Sequence, residues 1–196
     1  MQKKISKDEV NALPLHAYDG EVEIINTPAG YRKAVEEISD FTLLGFDTES
    51  KPSFTKGIKN PIALVQLATD DKVYLFRLPK GDMPKELKKI LEDDNIEKIG
   101  IGIDDDLNDL KRIGVKRPKE FIDLNKLATK AGFHNTGARN LSAMLLGFRI
   151  SKSAQTSNWE REELTEKQIS YAATDAWICL KIYEKLWQYD YSDVNK

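Results

Sequence analysis

The run at residues 41–50 constrains the fold most, because an apolar stretch of strand length ends there in two carboxylates. Side chains alternate between the two faces of an extended strand, so residues two apart share a face. Asp47 and Glu49 are therefore expected to project from the same side of one strand. Two carboxylates this close repel each other unless a positive charge lies between them, and a divalent cation with oxygen ligands can supply that charge. The alternative is a strand that ends in a solvated acidic turn.

Length and composition are those of an ordinary globular protein. The chain has 196 residues, of which 40% are hydrophobic and 32% charged, and this is enough for one domain whose core needs no covalent staples. A single cysteine, Cys179, excludes an intrachain disulfide framework and is typical of a reducing compartment. No apolar run has the length of a signal-peptide core or of a membrane-spanning helix. We therefore expect a cytoplasmic protein without membrane contact.

The charge balance gives no global attraction to nucleic acid. The net charge is −2, from 30 basic and 32 acidic residues, which argues against a protein that coats DNA nonspecifically. Nucleic-acid binding would instead depend on basic groups focused around a groove.

Strands are predicted early in the chain, and later strands alternate with helices. Residues 22–25 and 41–49 have strand patterns, and residues 62–68 form a continuous apolar run that is typical of a strand buried on both faces. Residues 73–78 are predicted to form a hairpin with that run. A helix is predicted to start at Thr27 and Pro28 and to continue to about Ile38. Further helices are predicted at residues 84–93, 104–113, 124–130 and 140–146, with strands at residues 96–103 and 121–122. This order indicates an α/β domain with a mixed sheet flanked by helices.

The chain divides into three segments. Residues 1–20 are polar and mixed, and are expected to form a tail or a loosely packed arm. A single domain occupies residues 21–190, and residues 191–196 form a C-terminal tail.

A long helix is predicted before that tail. Thr165 and Gln168 form a capping box at its start, and helical periodicity continues to about Trp187. Asp175 lies in an apolar sector of this helix, one turn after Tyr171. An ionised carboxylate in such a sector is costly unless it is paired or binds a metal. Asp175 is therefore either paired with a basic residue or part of a metal site, and Tyr171 is either a core tyrosine or part of the same site.

Four acids from distant parts of the chain could form one site. Sites that transfer phosphoryl groups hold several carboxylates around two cations about 3.5–4 Å apart. Asp47, Glu49, Asp175 and one of the aspartates at residues 104–106 would supply four. Spacing does not choose among those three aspartates, which could also form a solvated helix N-terminus, where acids are favoured.

In this order the motifs resemble those of the DEDD-type 3′–5′ exonucleases, in the tyrosine subclass that contains ribonuclease D and the Werner-syndrome exonuclease-like domains. The first motif is Asp47 and Glu49 with Thr48 between them. The second reads Gly-Ile-Asp-Asp-Asp-Leu at residues 102–107 and selects Asp106, and the third reads Tyr-Ala-Ala-Thr-Asp-Ala at residues 171–176. Flanking stretches also match, and the resemblance covers about residues 21–190.

The resemblance implies a ribonuclease H-like fold and an enzyme that hydrolyses DNA or RNA from the 3′ end, releasing nucleoside 5′-monophosphates. It also implies two divalent cations, Mg²⁺ or Mn²⁺. It assigns Asp47, Glu49 and Asp175 to the metal next to the attacking water. Asp47 would bridge to the second metal, on which Asp106 would act, and Tyr171 would orient the nucleophile or help to remove its proton.

Basic and polar residues in loops near the motifs are candidate contacts to substrate phosphates. These candidates are Thr48, Lys51, Lys56, Lys59, Arg139, Arg149 and Lys152. Each could instead be an ordinary solvated side chain, and Trp159 could either stack on a base or anchor the core. The sequence does not choose between DNA and RNA, and a protein partner could supply that choice.

Two other functions are compatible with parts of the sequence. A haloacid-dehalogenase-like phosphatase also carries an acid pair at a strand end, but it would leave Tyr171 and Asp175 without a role. A non-catalytic nucleic-acid-binding module on an exonuclease scaffold would be expected to have lost an acid, and none of the four is lost.

Overall fold

The structure is a computed structural model, and it describes residues 2–55, 57–79 and 82–194. Its strands are β1 (Glu21–Ile25), β2 (Leu43–Ser50), β3 (Ile62–Ala68), β4 (Lys72–Arg77), β5 (Glu97–Gly100) and β6 (Phe121–Asp123). Its α-helices are α1 (Lys7–Ala12), α2 (Pro28–Ile38), α3 (Lys85–Glu92), α4 (Asp104–Arg112), α5 (Leu124–Lys130), α6 (Ala138–Leu141) and α7 (Glu166–Val194), and a π-helical turn spans Ser142–Leu146. Within these residues, no helix is long and apolar enough to cross a membrane.

The six strands form one mixed sheet in the order β1-β4-β3-β2-β5-β6. Strands β3 and β4 pair as the predicted antiparallel hairpin, and β3 also pairs antiparallel with β2. The other pairs, β1 with β4, β2 with β5 and β5 with β6, are parallel. The prediction of an α/β domain with a mixed sheet flanked by helices is confirmed.

Each face of the sheet carries its own apolar core. Helices α2, α3 and α4 cover one face, where they pack against Leu44 and Phe46 of β2. Helices α5 and α7 cover the other face. Because side chains alternate along β2, Asp47 and Glu49 point towards the α7 face. The same alternation of side chains along β2 that predicted a shared direction for Asp47 and Glu49 therefore makes both acids face α7.

Helix α7 lies unusually close to β2. A Cβ atom at Gly45 would lie 2.1 Å from the carbonyl oxygen of Ala176, so the approach requires glycine on the strand. Alanines at 172, 173 and 176 are fully buried at this contact, and the Cys179 thiol donates to the Asp175 carbonyl oxygen at 3.1 Å and lies 3.7 Å from that of Phe46. This packing brings Asp175 next to the carboxyl end of β2.

Residues 2–20 contact the rest of the domain at several points, although most of their side chains stay exposed. They therefore do not form a free tail, and a loosely packed arm at residues 1–20 stays a prediction. Ser6 and Glu9 form a reciprocal capping box at the start of α1, and Val10 is buried. Further along, the backbone N–H of His16 donates to the carbonyl of Arg149 at 2.9 Å, and the N–H of Arg149 donates to the carbonyl of Pro14 at 2.9 Å. These anchors are main-chain hydrogen bonds, which a pattern of apolar residues does not reveal.

The arm also reaches the helix that carries Asp175. The backbone N–H of Tyr18 donates to the Thr174 hydroxyl at 3.0 Å. That hydroxyl in turn donates to the carbonyl of Ser170 within α7. The arm is therefore joined to α7 at the residue before Asp175.

Several predicted boundaries shift. The strand predicted at residues 96–103 is shorter (Glu97–Gly100), and the helix predicted at residues 140–146 is α6 followed by the π-helical turn, which ends at Gly147 with φ 76°. Helix α7 continues past Trp187 to Val194, so residues 191–194 of the predicted tail are helical. Residues 195 and 196 lie outside the described part of the chain, and the division at residues 20 and 190 stays a prediction.

Substitution of Gly45 tests the close approach of α7 to β2. Gly45→Ala should lower the free energy of unfolding by at least about 2 kcal/mol, because the added methyl group meets backbone rather than a movable side chain. Urea denaturation measures the change. Gly137→Ala is the matched control, because φ is −71° there and no atom lies within 4 Å of the added Cβ. Equal stability of the two variants would contradict the described packing.

Candidate active site

A cavity of about 390 Å³ opens where the carboxyl end of β2, the first turn of α4 and the first half of α7 meet. Acidic, amide, hydroxyl and basic groups all line it. The polar residues among them are Asp47, Thr48, Glu49, Asp106, Asn125, Ser151, Lys152, Gln155, Tyr171 and Asp175. The cavity therefore contains all five residues that the sequence motifs single out.

Three carboxylates converge at the floor of the cavity. One oxygen atom each of Asp47, Glu49 and Asp175 can be chosen so that all three lie within 4.8 Å of one another. The strand supplies the first two through alternation, and the close approach of α7 supplies the third. No basic side chain among the described residues forms an ion pair with any of them, so the structure does not support the alternative of a structural salt bridge at Asp175. A cluster of hard oxygen donors in this arrangement fits a divalent cation.

The structure also separates the three consecutive aspartates. Asp104 pairs with Lys126 at 2.6 Å outside the cavity, and the side chain of Asp105 is 88% exposed. Asp106 alone of the three lines the cavity, where its carboxylate accepts a hydrogen bond from the Thr48 hydroxyl. Its position on the first turn of α4 therefore directs it to the same space as the three converging acids.

Burial and mutual repulsion favour the protonated forms of these acids. Desolvation, and then the neighbouring charges of Asp175 and Asp106, raise the pKa of Asp47 well above its usual range. Desolvation, and then the neighbouring charges of Asp47, Asp175 and Asp106, raise the pKa of Glu49 to about 10. Desolvation raises the pKa of Asp175 to about 7, although the Tyr171 hydrogen bond and the charge of Lys152 act in the opposite direction. The site therefore needs positive charge to be fully ionised at neutral pH.

Tyr171 lies one helical turn before Asp175, and its hydroxyl is near enough to the Asp175 carboxylate for each group to shift the pKa of the other. Desolvation and the adjacent carboxylates raise the pKa of the Tyr171 hydroxyl above its ordinary value. The hydroxyl therefore stays protonated and can donate a hydrogen bond into the cavity. Trp159 is 1% exposed, and its ring packs 6.0 Å from that of Tyr171. Of the two interpretations of Trp159, the structure supports the core anchor.

The segment before α7 is fixed by the start of that helix. The side-chain amide of Gln168 donates to the Ser157 hydroxyl at 3.0 Å and to the Asn158 carbonyl at 3.1 Å. Its carbonyl oxygen accepts from the backbone N–H of Thr165, which completes the predicted capping box. The flanking residues that match the family motifs thus hold Trp159 against Tyr171.

The candidate phosphate contacts have different positions. Lys152 lines the cavity, whereas Lys51 pairs with Glu160 at 3.4 Å. Arg149 does not line the cavity, since its Nε atom donates to the carbonyl of Leu13 at 3.0 Å and so holds the N-terminal arm.

The remaining candidates are also bound elsewhere or not described. Arg139 donates to the Asn11 side chain at 2.8 Å, and Lys59 pairs with Asp109 at 2.7 Å. Lys56 lies outside the described residues.

Two buried amides close to this site were not predicted from the sequence. Gln66 on β3 lies opposite Asp47 in the sheet register and is fully buried, and neither of its side-chain polar atoms has a hydrogen-bond partner among the described residues. Asn125 lines the cavity, and its Oδ1 atom is buried and also unpartnered within the described part of the chain. The available signal for Gln66 was a polar residue within an otherwise apolar strand. No comparable signal marks Asn125.

Comparison with known proteins identifies the family. A family model described as 3′–5′ exonuclease matches residues 22–189. The chain belongs to the 3′–5′ exonuclease family.

Individual relatives agree with this assignment. The chain is 37% identical over 155 residues to the mouse bifunctional 3′–5′ exonuclease/ATP-dependent helicase WRN, and the match covers 76% of this chain but only 11% of that protein. The Escherichia coli RNase D structure is 28% identical with a TM-score of 0.76, covering 85% of this chain and 44% of that one. The Nibbler EXO domain of Aedes aegypti is 23% identical and shares the fold, with a TM-score of 0.79 and coverage of 88% and 91%.

Stability measurements test the charge state of the site without any substrate. A carboxyl group whose pKa is raised by folding stabilises the protein below its unfolded pKa, and this contribution is lost as pH rises towards the folded value. The Tm of chelator-treated protein should therefore fall between about pH 5 and pH 9. Glu49→Gln should reduce that fall, because the amide carries no charge to bury.

Divalent cations should reverse the loss. Adding Mn²⁺ or Mg²⁺ at about pH 8 should raise the Tm of the parent protein more than that of Glu49→Gln. The exposed Glu163 provides the control, since Glu163→Gln should leave both responses unchanged. A Tm that responds to neither pH nor metal would contradict the acidic cluster.

Proposed function

We propose that this protein is a metal-dependent 3′–5′ exonuclease that hydrolyses phosphodiester bonds at the 3′ end of DNA or RNA and releases nucleoside 5′-monophosphates. The observation that carries this proposal is the convergence of Asp47, Glu49 and Asp175 within 4.8 Å, without an ion pair among the described residues. Membership of the 3′–5′ exonuclease family supports it independently.

We infer that the cavity takes two divalent cations, Mg²⁺ or Mn²⁺. Asp47, Glu49 and Asp175 would hold one, and Asp47 and Asp106 would serve the second. When bound, such cations supply a nucleophile at neutral pH and neutralise charge on the attacking and leaving oxygens. Thr48 would support this arrangement, because its hydroxyl fixes one oxygen of Asp106.

Tyr171 would position the attacking water. Its hydroxyl lies beside Asp175 at one end of the acidic cluster, and its ring is supported by Trp159. A protonated hydroxyl in this place can orient a water molecule through a hydrogen bond, while a neighbouring carboxylate accepts the proton that the water loses.

Substrate phosphates would enter past Lys152, the one candidate cation among the described residues that lines the cavity. Thr48 and Lys51 remain weaker candidates, because each is bound to an acidic partner. Arg149 would act only indirectly, by holding the N-terminal arm.

The alternatives make different predictions. A haloacid-dehalogenase-like phosphatase would cleave a generic phosphomonoester quickly and leave nucleic acid intact, and the family match across residues 22–189 does not favour it. A non-catalytic module would bind a 3′ end without metal and form no product.

The choice between DNA and RNA, and any protein partner that supplies it, also belong to this proposal, because the chain corresponds to a small part of the mouse relative. A cytoplasmic location stays a prediction from the single cysteine, Cys179, which is free and buried.

Removal of Asp47 tests the whole mechanism. Asp47→Ala should reduce turnover by roughly 1,000-fold or more, because Asp47 is a ligand of both proposed cations. The assay uses 5′-labelled DNA and RNA oligonucleotides with Mn²⁺, and with chelator as the blank. Asp105→Ala is the matched control, since its side chain is 88% exposed and does not line the cavity, and it should retain full activity. Full turnover by folded Asp47→Ala protein would refute the assignment.

Tyr171→Phe tests the hydroxyl alone. The change should lower kcat roughly 10- to 100-fold with little effect on KM or Tm, because the ring remains packed while the hydrogen bond to the water is lost. Single-turnover kinetics under saturating enzyme measure the effect. Tyr183→Phe, further along α7, serves as the control. An unchanged rate for Tyr171→Phe would remove this residue from the mechanism.

A further inference from the structure

The loop at residues 51–61, of which the structure describes residues 51–55 and 57–61, follows the end of β2 that carries Asp47 and Glu49 and leads into β3. Its base is closed by one side chain, because the Asn60 amide donates to the carbonyl oxygens of Lys51 at 2.8 Å and Pro52 at 3.3 Å. The loop is thus a closed projection at the carboxyl end of β2, beside the cavity.

Two lysines tie this loop to the segment before α7 and to α4. Lys51 pairs with Glu160, in the segment that leads into α7. Lys59 pairs with Asp109 at 2.7 Å, on the helix that carries Asp106. The lysine side chains are 44% and 46% exposed, so both still present positive charge to the solvent. The loop is therefore positioned relative to the two helices whose acids line the cavity.

Phe54 projects from this braced loop. The residue is 95% exposed, the highest value for any large apolar residue among those the structure describes. It follows Glu49 by five residues, which limits the distance between their Cα atoms to about 18 Å. Ile58 on the same loop is 59% exposed. An exposed aromatic ring thus lies between the two lysines in the sequence, and the chain keeps it within about 18 Å of Glu49.

Positive charge beside an exposed aromatic ring is the combination that proteins use to bind single-stranded nucleic acid. The lysines favour the phosphate backbone, and the ring offers a face to a base of any sequence. We propose that Phe54 stacks on a nucleobase of the single strand that enters the cavity, upstream of the 3′-terminal linkage. The inference rests on the proposed function and adds a substrate preference to it: a duplex end offers Phe54 no unpaired base, so single-stranded 3′ ends are preferred.

Binding to oligonucleotides with one missing base tests this contact. The probes are 5′-fluorescein single strands of about 10 nucleotides, each with an abasic residue at one position, moved stepwise from the 3′ end. Fluorescence anisotropy is measured in the Asp47→Ala background, so that no cleavage interferes. One abasic position should weaken binding roughly 10-fold with Phe54 present.

Substitutions at Phe54 should change that response in a specific way. Phe54→Ala should bind the intact strand roughly 10-fold more weakly and show no further loss at the sensitive position, whereas Phe54→Trp should retain the response. Phe41→Ala is the matched control, because Phe41 is 43% exposed and precedes the opposite end of β2, and it should bind like the parent.

Several outcomes would overturn the inference. If Phe54→Ala and Phe41→Ala bind the intact strand with the same affinity, the contact between Phe54 and a base is excluded. An abasic response that persists in Phe54→Ala would show that another residue reads the base and would leave Phe54 to a protein partner. If the parent protein cleaves no oligonucleotide with any metal while the abasic response still depends on Phe54, the proposed function fails and the stacking contact stands.

Discussion

Three carboxyl groups within 4.8 Å of one another in a buried cavity repel each other, and the surrounding fold keeps them together. Two of them cannot separate, because they project from the same face of one strand. The third belongs to helix α7, which contacts the backbone of β2 at Gly45. The small buried alanines of α7 pack at this contact, so the Asp175 carboxyl group cannot move away from the other two. The stability of the helix–strand contact thus opposes the repulsion and creates a place where positive charge is favourable.

The acids differ in how strictly the fold controls them. Asp47 and Glu49 lie in the centre of the sheet, paired to β3 on one side. Asp106 belongs to the first turn of a short helix and depends on the Thr48 hydroxyl for its direction. The direction of the Asp106 carboxylate is therefore controlled less strictly by the fold than the directions of Asp47 and Glu49.

Much of this site could be predicted from the sequence, because the two-residue repeat of a strand and the 3.6-residue repeat of a helix place most of its side chains. Alternation along β2 gave the shared face of Asp47 and Glu49, and helical spacing placed Tyr171 one turn from Asp175. The choice of Asp106 over its neighbours needed the family pattern, since three consecutive aspartates have no distinguishing spacing. Long-range contacts were beyond the sequence patterns: the N-terminal arm is attached through main-chain hydrogen bonds to Arg149.

The hydrogen bond between the Tyr18 backbone and the Thr174 hydroxyl has a consequence for how the site forms during synthesis. Residues 18, 47 and 175 leave the ribosome at widely separated times, so a nascent chain that still lacks α7 carries an acid pair without its third carboxylate and an arm with contacts to Arg149 only. Completion of the acidic cluster and the last contact of the arm should therefore coincide, and a truncated translation product would carry no assembled cluster.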